Sequence, residues 1–292
     1  MGIGNRNMSS SKDLHEAYFG EQHITTIEPP TGWRMLDFRE IWAYRELFWV
    51  LASRDVKVRY RQTVLGAAWA IIRPVMSMLV FSGVFGVLAK LPSDGLPYPI
   101  FVYAGLLPWT FFAGAVGACG NSMVGSGHLV SKVYFPRLII PIAAVGTHLV
   151  DLAIATLVLL LMMLYFGQAW SVNLLWAPVL LVLLILAVLG IGMCFAALTV
   201  SYRDVAHVIP FLLQLWLFLT PVVYPLSMVP EQWRWLARLN PMTGIVEGFR
   251  ACFLARPFDW AALGFSVSVT LVALIAGIAY FERVERRFAD VI

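Results

Sequence analysis

From Val64 onward the chain alternates long apolar runs with short polar breaks. Six apolar segments stand out, at roughly 64–89, 98–119, 138–166, 176–199, 207–224 and 260–281. Each is near the roughly 20 residues an α-helix needs to cross a bilayer. The pattern predicts six transmembrane helices. The third is long enough to tilt or protrude, and the fifth is short and bounded by Pro210, Pro221 and Pro225. Between the fifth and sixth runs, residues 225–258 mix Trp233, Trp235, Pro230, Pro241, Phe249 and Phe253 with several charges. That mixture predicts short helices that re-enter the interface without spanning.

Ahead of the first run the period changes. In residues 36–51, Phe38, Ile41, Trp42, Phe48 and Trp49 share an arc of roughly 120° at helical spacing, with Asp37, Arg39, Glu40 and Glu46 opposite. A tryptophan-rich amphipathic helix of this kind lies in the interface plane. Residues 1–32 are polar, carry Ser9-Ser10-Ser11 and Pro29-Pro30, lack an apolar signal region and are expected to be mobile. Residues 33–292 form one membrane domain.

Composition supports this reading. The 292 residues are 60% hydrophobic and 13% charged, with a mean hydropathy of +0.78. A soluble domain is nearer 45–50% apolar and about 25% charged. The fold class is therefore an all-α integral membrane protein. The formal net charge of +4 reads as a basic skirt facing anionic lipid rather than as a nucleic-acid surface. With the N-terminus inside, 16 of the 21 Lys and Arg residues fall on the cytoplasmic side, which places both termini in the cytoplasm. The sharpest charge step is Ser53–Pro74, where Arg54, Lys57, Arg59 and Arg61 precede a membrane-length apolar run.

The chemistry a motor or enzyme requires is not visible. The four lysines, Lys12, Lys57, Lys90 and Lys132, do not follow glycine, so there is no phosphate-cradling P-loop. His15-Glu16 lacks the second histidine of a zinc-protease motif, and Cys119, Cys194 and Cys252 have no metal-ligand spacing. No acid–base set assembles, so the chain reads as a non-enzyme without a bound cofactor. Asp151, one turn after His148 in the third run, is an intramembrane acid. It reads as a proton relay, as half of a local His–Asp pair, or as an acid facing another helix. Arg73 can snorkel to headgroups, and Glu247 and Arg250 are three apart on one helix face, a pairing distance. Aromatics at segment interiors or mouths, among them Trp69, Phe81, Trp109, Phe112, Trp216 and Phe218, read as helix packing or as the flat walls of a sugar channel.

Five segments in order, RDVKVRYRQTVLGAAWAIIRP, LPYPIFVYAGLLPWTFF, KVYFPRLIIP, YRDVAHVIPFLLQLWLFLTPVVYP and LNPMTGIVEGFR, resemble the ABC-2 type permeases that export cell-surface polysaccharide. The resemblance is strongest to the O-antigen group, with capsule and teichoic-acid exporters as relatives, and covers residues 36–281. Arg73 departs from the uncharged polar residue that the family carries before the proline of the first span. The resemblance implies a homodimer in the bacterial inner membrane, paired with two copies of an ATPase subunit that binds ATP and Mg. It implies a polyprenyl-pyrophosphate-linked glycan as cargo and the 225–258 helices near the periplasmic exit. Residues 129–136, including Leu129, Lys132, Tyr134 and Phe135, and the run Tyr202, Arg203, Asp204, Val205 would contact the ATPase. Arg54, Lys57, Arg59 and Arg61 would stand where the carrier's pyrophosphate is admitted. The competing readings are a small-molecule or drug efflux permease on the same scaffold, a membrane transferase acting on a polyprenyl lipid, and an ion-coupled transporter resting on Asp151.

Overall fold

The computed structural model describes residues 42–61, 66, 68–132 and 135–285. The segment 1–32 and the first part of the amphipathic helix lie outside the described residues. The described part of that helix differs from the amphipathic pattern at its end. α1 spans Arg45–Arg61, so the basic stretch 53–61 is helical and continues the same rod. Arg and Lys are good helix formers, so the helix outlasts its amphipathic stripe. Leu51 and Ala52 are its buried residues, while Trp49 is exposed.

The remaining helices are α2 (Ala68–Phe81, continued by a π-helical stretch, Ser82–Leu88), α3 (Tyr98–Gly125), α4 (Gly127–Lys132), α5 (Ile139–Tyr165), α6 (Ala177–Ser201), α7 (Val205–Leu219), α8 (Glu231–Leu239), α9 (Pro241–Phe253) and α10 (Trp260–Glu285). Among the described residues, five helices are long and apolar enough to cross a membrane: Ala68–Leu88, α3, α5, α6 with its preceding turn, and α10. The fifth predicted segment, 207–224, is helical only in part. Its helix ends at Leu219, and 15 residues reach only about 22 Å against a hydrocarbon core of about 30 Å. Hydropathy continues past the helix end through Val222 and Val223, but Pro221 cannot supply the backbone N–H that a further turn requires. Within 225–258 the chain forms the short helices α8 and α9.

α3 is the hub. It packs on α2, α5, α6, α7 and α9. Its sequence, YPIFVYAGLLPWTFFAGAVGACGNSMVG, is apolar on every side and rich in Gly and Ala. A helix apolar all round is buried, and small residues let neighbouring backbones come close. In its most apolar window 78% of residues are buried, against 17% for Ala68–Leu88 and 22% for α10, which makes those two peripheral. α3 and α6 run parallel, since Cys119 stands against Gly192 and Gly120 against Phe195. α10 crosses α6 with the two backbones almost touching at Gly190 and Gly277.

The bundle thus has two ends. One carries α4, the start of α5 and the Tyr202–Asp204 turn, with Arg137 Nη1 donating to the carbonyl of Glu285 at 2.6 Å. The other carries the chain after α7, α9 and the turn before α6. There Asn173 Nδ2 donates to the carbonyls of Ala251 and Arg256 at 3.2 and 2.9 Å. At the same end, Asn240 Oδ1 accepts from Met242 N and from Trp216 Nε1, each at 3.0 Å, which caps α9 and fastens it to α7.

Candidate functional site

Two features of the bundle carry chemistry. The first is an ionic cluster where α1 meets α5. Arg59 Nη2 lies 2.6 Å from Asp151 Oδ2, and the Tyr60 hydroxyl donates to Asp151 Oδ1. Arg59 Nη1 lies 3.3 Å from His148 Nε2. Arginine has no acceptor, so this bond requires an unprotonated Nε2 and puts the ring proton on Nδ1. Nδ1 faces Asp151 Oδ2 at 3.8 Å. The His–Asp pair read from the sequence is therefore one side of a four-residue cluster, and its strongest partner is the nonlocal Arg59. Burial, followed by the bond to Asp151, holds the Tyr60 hydroxyl up at about 12, so it remains a donor across the working pH range.

The cluster forms one wall of a cavity of about 360 Å³ between α1, α2, α3 and α5. Trp69 and Arg73 of α2 form another wall, and the Arg73 guanidinium sits 5.7 Å from the Trp69 ring centroid. The space for the cluster is opened by Gly114 of α3, where a Cβ would stand 2.7 Å from the His148 ring. Gly114 is roughly 24 Å along α3 from Tyr98 and roughly 17 Å from Gly125, so the cavity sits in the lower part of the bundle, toward the end bearing α4. The four basic residues of the charge step divide accordingly. Arg59 is half-buried and faces this cavity. Arg54 pairs with the adjacent Asp55 at 2.8 Å and lines a second cavity of about 380 Å³ on the same helix. Lys57 and Arg61 are exposed. The structure thus brings Arg59 and Trp69 to one cavity and leaves the other three cations outside it.

The second feature is the surface at the α4 end. Tyr202, Arg203 and Asp204 form an exposed turn between α6 and α7, with Tyr202 66% exposed. Leu129 on α4 is half-buried. The side chains of Lys132 and Tyr134 lie outside the described residues. Phe135 requires a correction: it is buried within the chain and offers no surface to a partner.

The aromatic candidates also divide. Phe112 is fully buried and Trp109 nearly so, and the two rings pack in the core at a tilt of 44° with centroids 5.6 Å apart. Phe112 and Trp216 meet edge to face at 5.3 Å. Trp109 and Phe112 are corrected from channel wall to core, because side chains enclosed by their own subunit have no face for cargo. Trp216 is half-buried and held by Asn240, and Phe81 is half-buried against Phe85. Trp69 and Phe218 are exposed.

One residue matters more than its sequence reading suggested. Arg250 pairs with Glu247 at 2.9 Å, as the i,i+3 spacing predicts, but it is also buried. It donates to the carbonyls of Phe101 (3.3 Å), Pro221 (2.7 Å) and Val222, and lies 3.7 Å from the Phe101 ring centroid. It thereby satisfies the carbonyls of Pro221 and Val222 in the irregular chain after α7 and ties them to α3 through Phe101. Gly105 of α3 makes room for it, since a Cβ there would stand 2.7 Å from Arg250 Nη2. The clue available in the sequence was an arginine among apolar residues in a segment following a proline break.

Comparison with known proteins agrees with this architecture. Residues 46–254 match the ABC-2 type transporter family. The chain is 31% identical over 256 residues to the O-antigen export system permease protein RfbA of Myxococcus xanthus, covering 86% of this chain and 97% of that protein. It is 24% identical to the O-antigen export system permease protein RfbA of Klebsiella pneumoniae, over 85% of this chain and 95% of that protein. It is 26% identical to the polysialic acid transport protein KpsM of Escherichia coli, over 80% of this chain and 91% of that protein. The family match spans most of the helical bundle, and the chain belongs to the ABC-2 type transporter membrane family.

Proposed function

We propose that this chain is the membrane subunit of an ATP-driven exporter of lipid-linked polysaccharide. The observation that carries this reading is the similarity to O-antigen and polysialic acid transport proteins over nearly their whole lengths. Without a P-loop in the chain, the energy must come from a separate ATPase subunit that binds ATP and Mg. Two permease copies and two ATPase copies make the working unit, in the inner membrane of a bacterium. α7 together with the apolar chain that follows it to Tyr224 brings the spans to six, and both termini lie in the cytoplasm, which the distribution of Lys and Arg supports. The cavity end of the bundle then faces the cytoplasm, and α8 and α9 face the periplasm. The cargo is a glycan on a polyprenyl pyrophosphate.

In this mechanism α4 and the Tyr202–Asp204 turn receive the ATPase's movement. The turn joins α6 and α7 directly, so displacing it displaces two helices that pack on the hub α3. The ion-coupled alternative rests on Asp151, and that carboxylate is engaged by Arg59 and Tyr60. Substitution of the exposed turn tests the coupling role. Arg203→Glu combined with Tyr202→Ala changes stability by about 0.5 kcal/mol or less, as for other surface sites. Co-purification of the ATPase subunit should fall at least tenfold, and surface glycan on immunoblots should be lost. Retention of both by the folded variant would refute the coupling role.

A further inference from the structure

The first span changes its winding at the end of the bundle that bears α8 and α9. Ala68–Phe81 is α-helical, but Ser82–Leu88 is a π-helix, with Ala89 N donating to the Val84 carbonyl at 2.9 Å. Bonding of this kind takes in one residue more than an α-helical turn, and it is found mostly at functional sites. The Ser82 hydroxyl opens the stretch buried and without a partner among the described residues, which is a cost. The winding is held from outside. Residues 93–96 make a tight turn, with Asp94 and Gly95 at φ of 51° and 81° and Leu96 N donating to the Ser93 carbonyl at 3.1 Å. Asp94 thereby reaches two other connections of the fold. Its Oδ1 accepts from Ser227 Oγ at 3.0 Å, and its carbonyl accepts from Arg256 Nη2. Each partner is itself fixed: the Ser227 carbonyl accepts from Arg234 Nη2 at 3.3 Å, and the Arg256 carbonyl from Asn173 Nδ2 at 2.9 Å. One hydrogen-bonded chain therefore joins the α2–α3, α5–α6, α7–α8 and α9–α10 connections, with Asp94 at its middle.

We propose that Ser82–Leu88 is a register switch in the first span and that Asp94 is the latch holding it in the π-helical register. Rewinding as α-helix passes the extra residue into the loop at 89–97 and turns the end of the span by roughly 100°, one residue's step. The loop cannot take in that residue while Asp94 stays bonded to both Ser227 and Arg256. The two states are therefore exclusive: the extra residue lies in the span with Asp94 engaged, or in the loop with Asp94 released. Only 17% of the most apolar window of Ala68–Leu88 is buried, so little packing opposes the turn. Tyr98 passes the change on. Its ring stands against Gly86, where a Cβ would lie 2.7 Å away, and its hydroxyl donates to the Val223 carbonyl at 2.6 Å. Val223 adjoins the Pro221 and Val222 carbonyls that Arg250 holds, so the register of the first span is linked to the chain between α7 and α8. The use of the switch in transport rests on the export reading, but the register is measured on the purified chain alone.

The experiment is hydrogen exchange, read by mass spectrometry, on the purified full-length chain in phosphatidylcholine nanodiscs. Ser227 is exposed, so Ser227→Ala should leave folding intact. It removes one hydrogen bond to a carboxylate and should speed exchange across 82–97 about tenfold, with α3 and α9 unchanged. Deleting Val87, whose side chain is 70% exposed, takes out the extra residue and leaves an unbroken α-helix. In that background 82–97 should exchange slowly with or without Ser227→Ala. Unchanged exchange in Ser227→Ala, or an equal rise in α3 and α9, overturns the latch. Faster exchange on deleting Val87 overturns the register switch. In vesicles holding the assembled exporter, the Val87 deletion should lower glycan movement at least tenfold while the ATPase subunit stays bound. Native movement by that variant overturns the role in transport. A native chain that moves no glycan counts against the export reading instead, and the exchange result still decides the switch.

Discussion

Replacing Arg250 with methionine is expected to destabilise the protein by about 3–5 kcal/mol, the range for removing one partner from a buried ion pair. The side chain is 3% exposed and its guanidinium serves four acceptors: Glu247 and the carbonyls of Phe101, Pro221 and Val222. Methionine fills much of the volume but donates nothing. Buried carbonyls would lose their partners at the point where α7 has already ended short of a full span. Arg250→Lys should recover only part of the loss, because an ammonium is a point charge and cannot fork between separated oxygens. Glu247→Gln should be milder, since Glu247 is partly exposed. Denaturant unfolding of the purified protein in detergent checks the series. An Arg250→Met variant within 1 kcal/mol of the native chain would show that these carbonyls find other donors.

The second large effect is steric. Gly277→Leu should prevent α10 from docking on α6. A Cβ at Gly277 would stand 2.0 Å from the Gly190 carbonyl oxygen, and one at Gly190 would stand 2.6 Å from the Leu274 amide nitrogen. The obstruction is backbone on both sides, so no rotamer change relieves it. Overpacking a filled core typically costs about 1–3 kcal/mol, and a whole leucine against backbone belongs at or above the top of that range. Loss of the folded peak in size-exclusion chromatography would report it. Gly264→Leu on the same helix is the control, because Gly264 has open space around its Cβ position and should be tolerated. Equal behaviour of the two variants would mean that the α6–α10 approach is not required.

The span positions were legible because a bilayer requires one property, apolarity over about 20 residues, and hydropathy reports it directly. The early end of α7 was not legible for the same reason: Val222 and Val223 keep the hydropathy high after the helix has stopped. α1 outran its amphipathic pattern because Arg54, Lys57, Arg59 and Arg61 favour helix without extending an apolar stripe. Glu247–Arg250 was readable because three residues bring two side chains to one helix face. Arg59–Asp151 was not, because no local rule links two residues that far apart in sequence. The aromatics divided unpredictably because Phe112 in the core and Phe218 on the surface of a membrane protein both satisfy an apolar environment. Only packing separates them.

ATP-driven export of lipid-linked polysaccharide through this chain can be followed in reconstituted vesicles. The chain and its ATPase subunit are placed in liposomes containing a radiolabelled glycan on undecaprenyl pyrophosphate, and protection of the glycan from an external glycosidase is followed. Added ATP should move the glycan into the protected lumen, and vesicles lacking either subunit, or given a non-hydrolysable nucleotide, should show no sustained movement. ATP hydrolysis by the assembled complex with no change in glycan protection would contradict export through this chain.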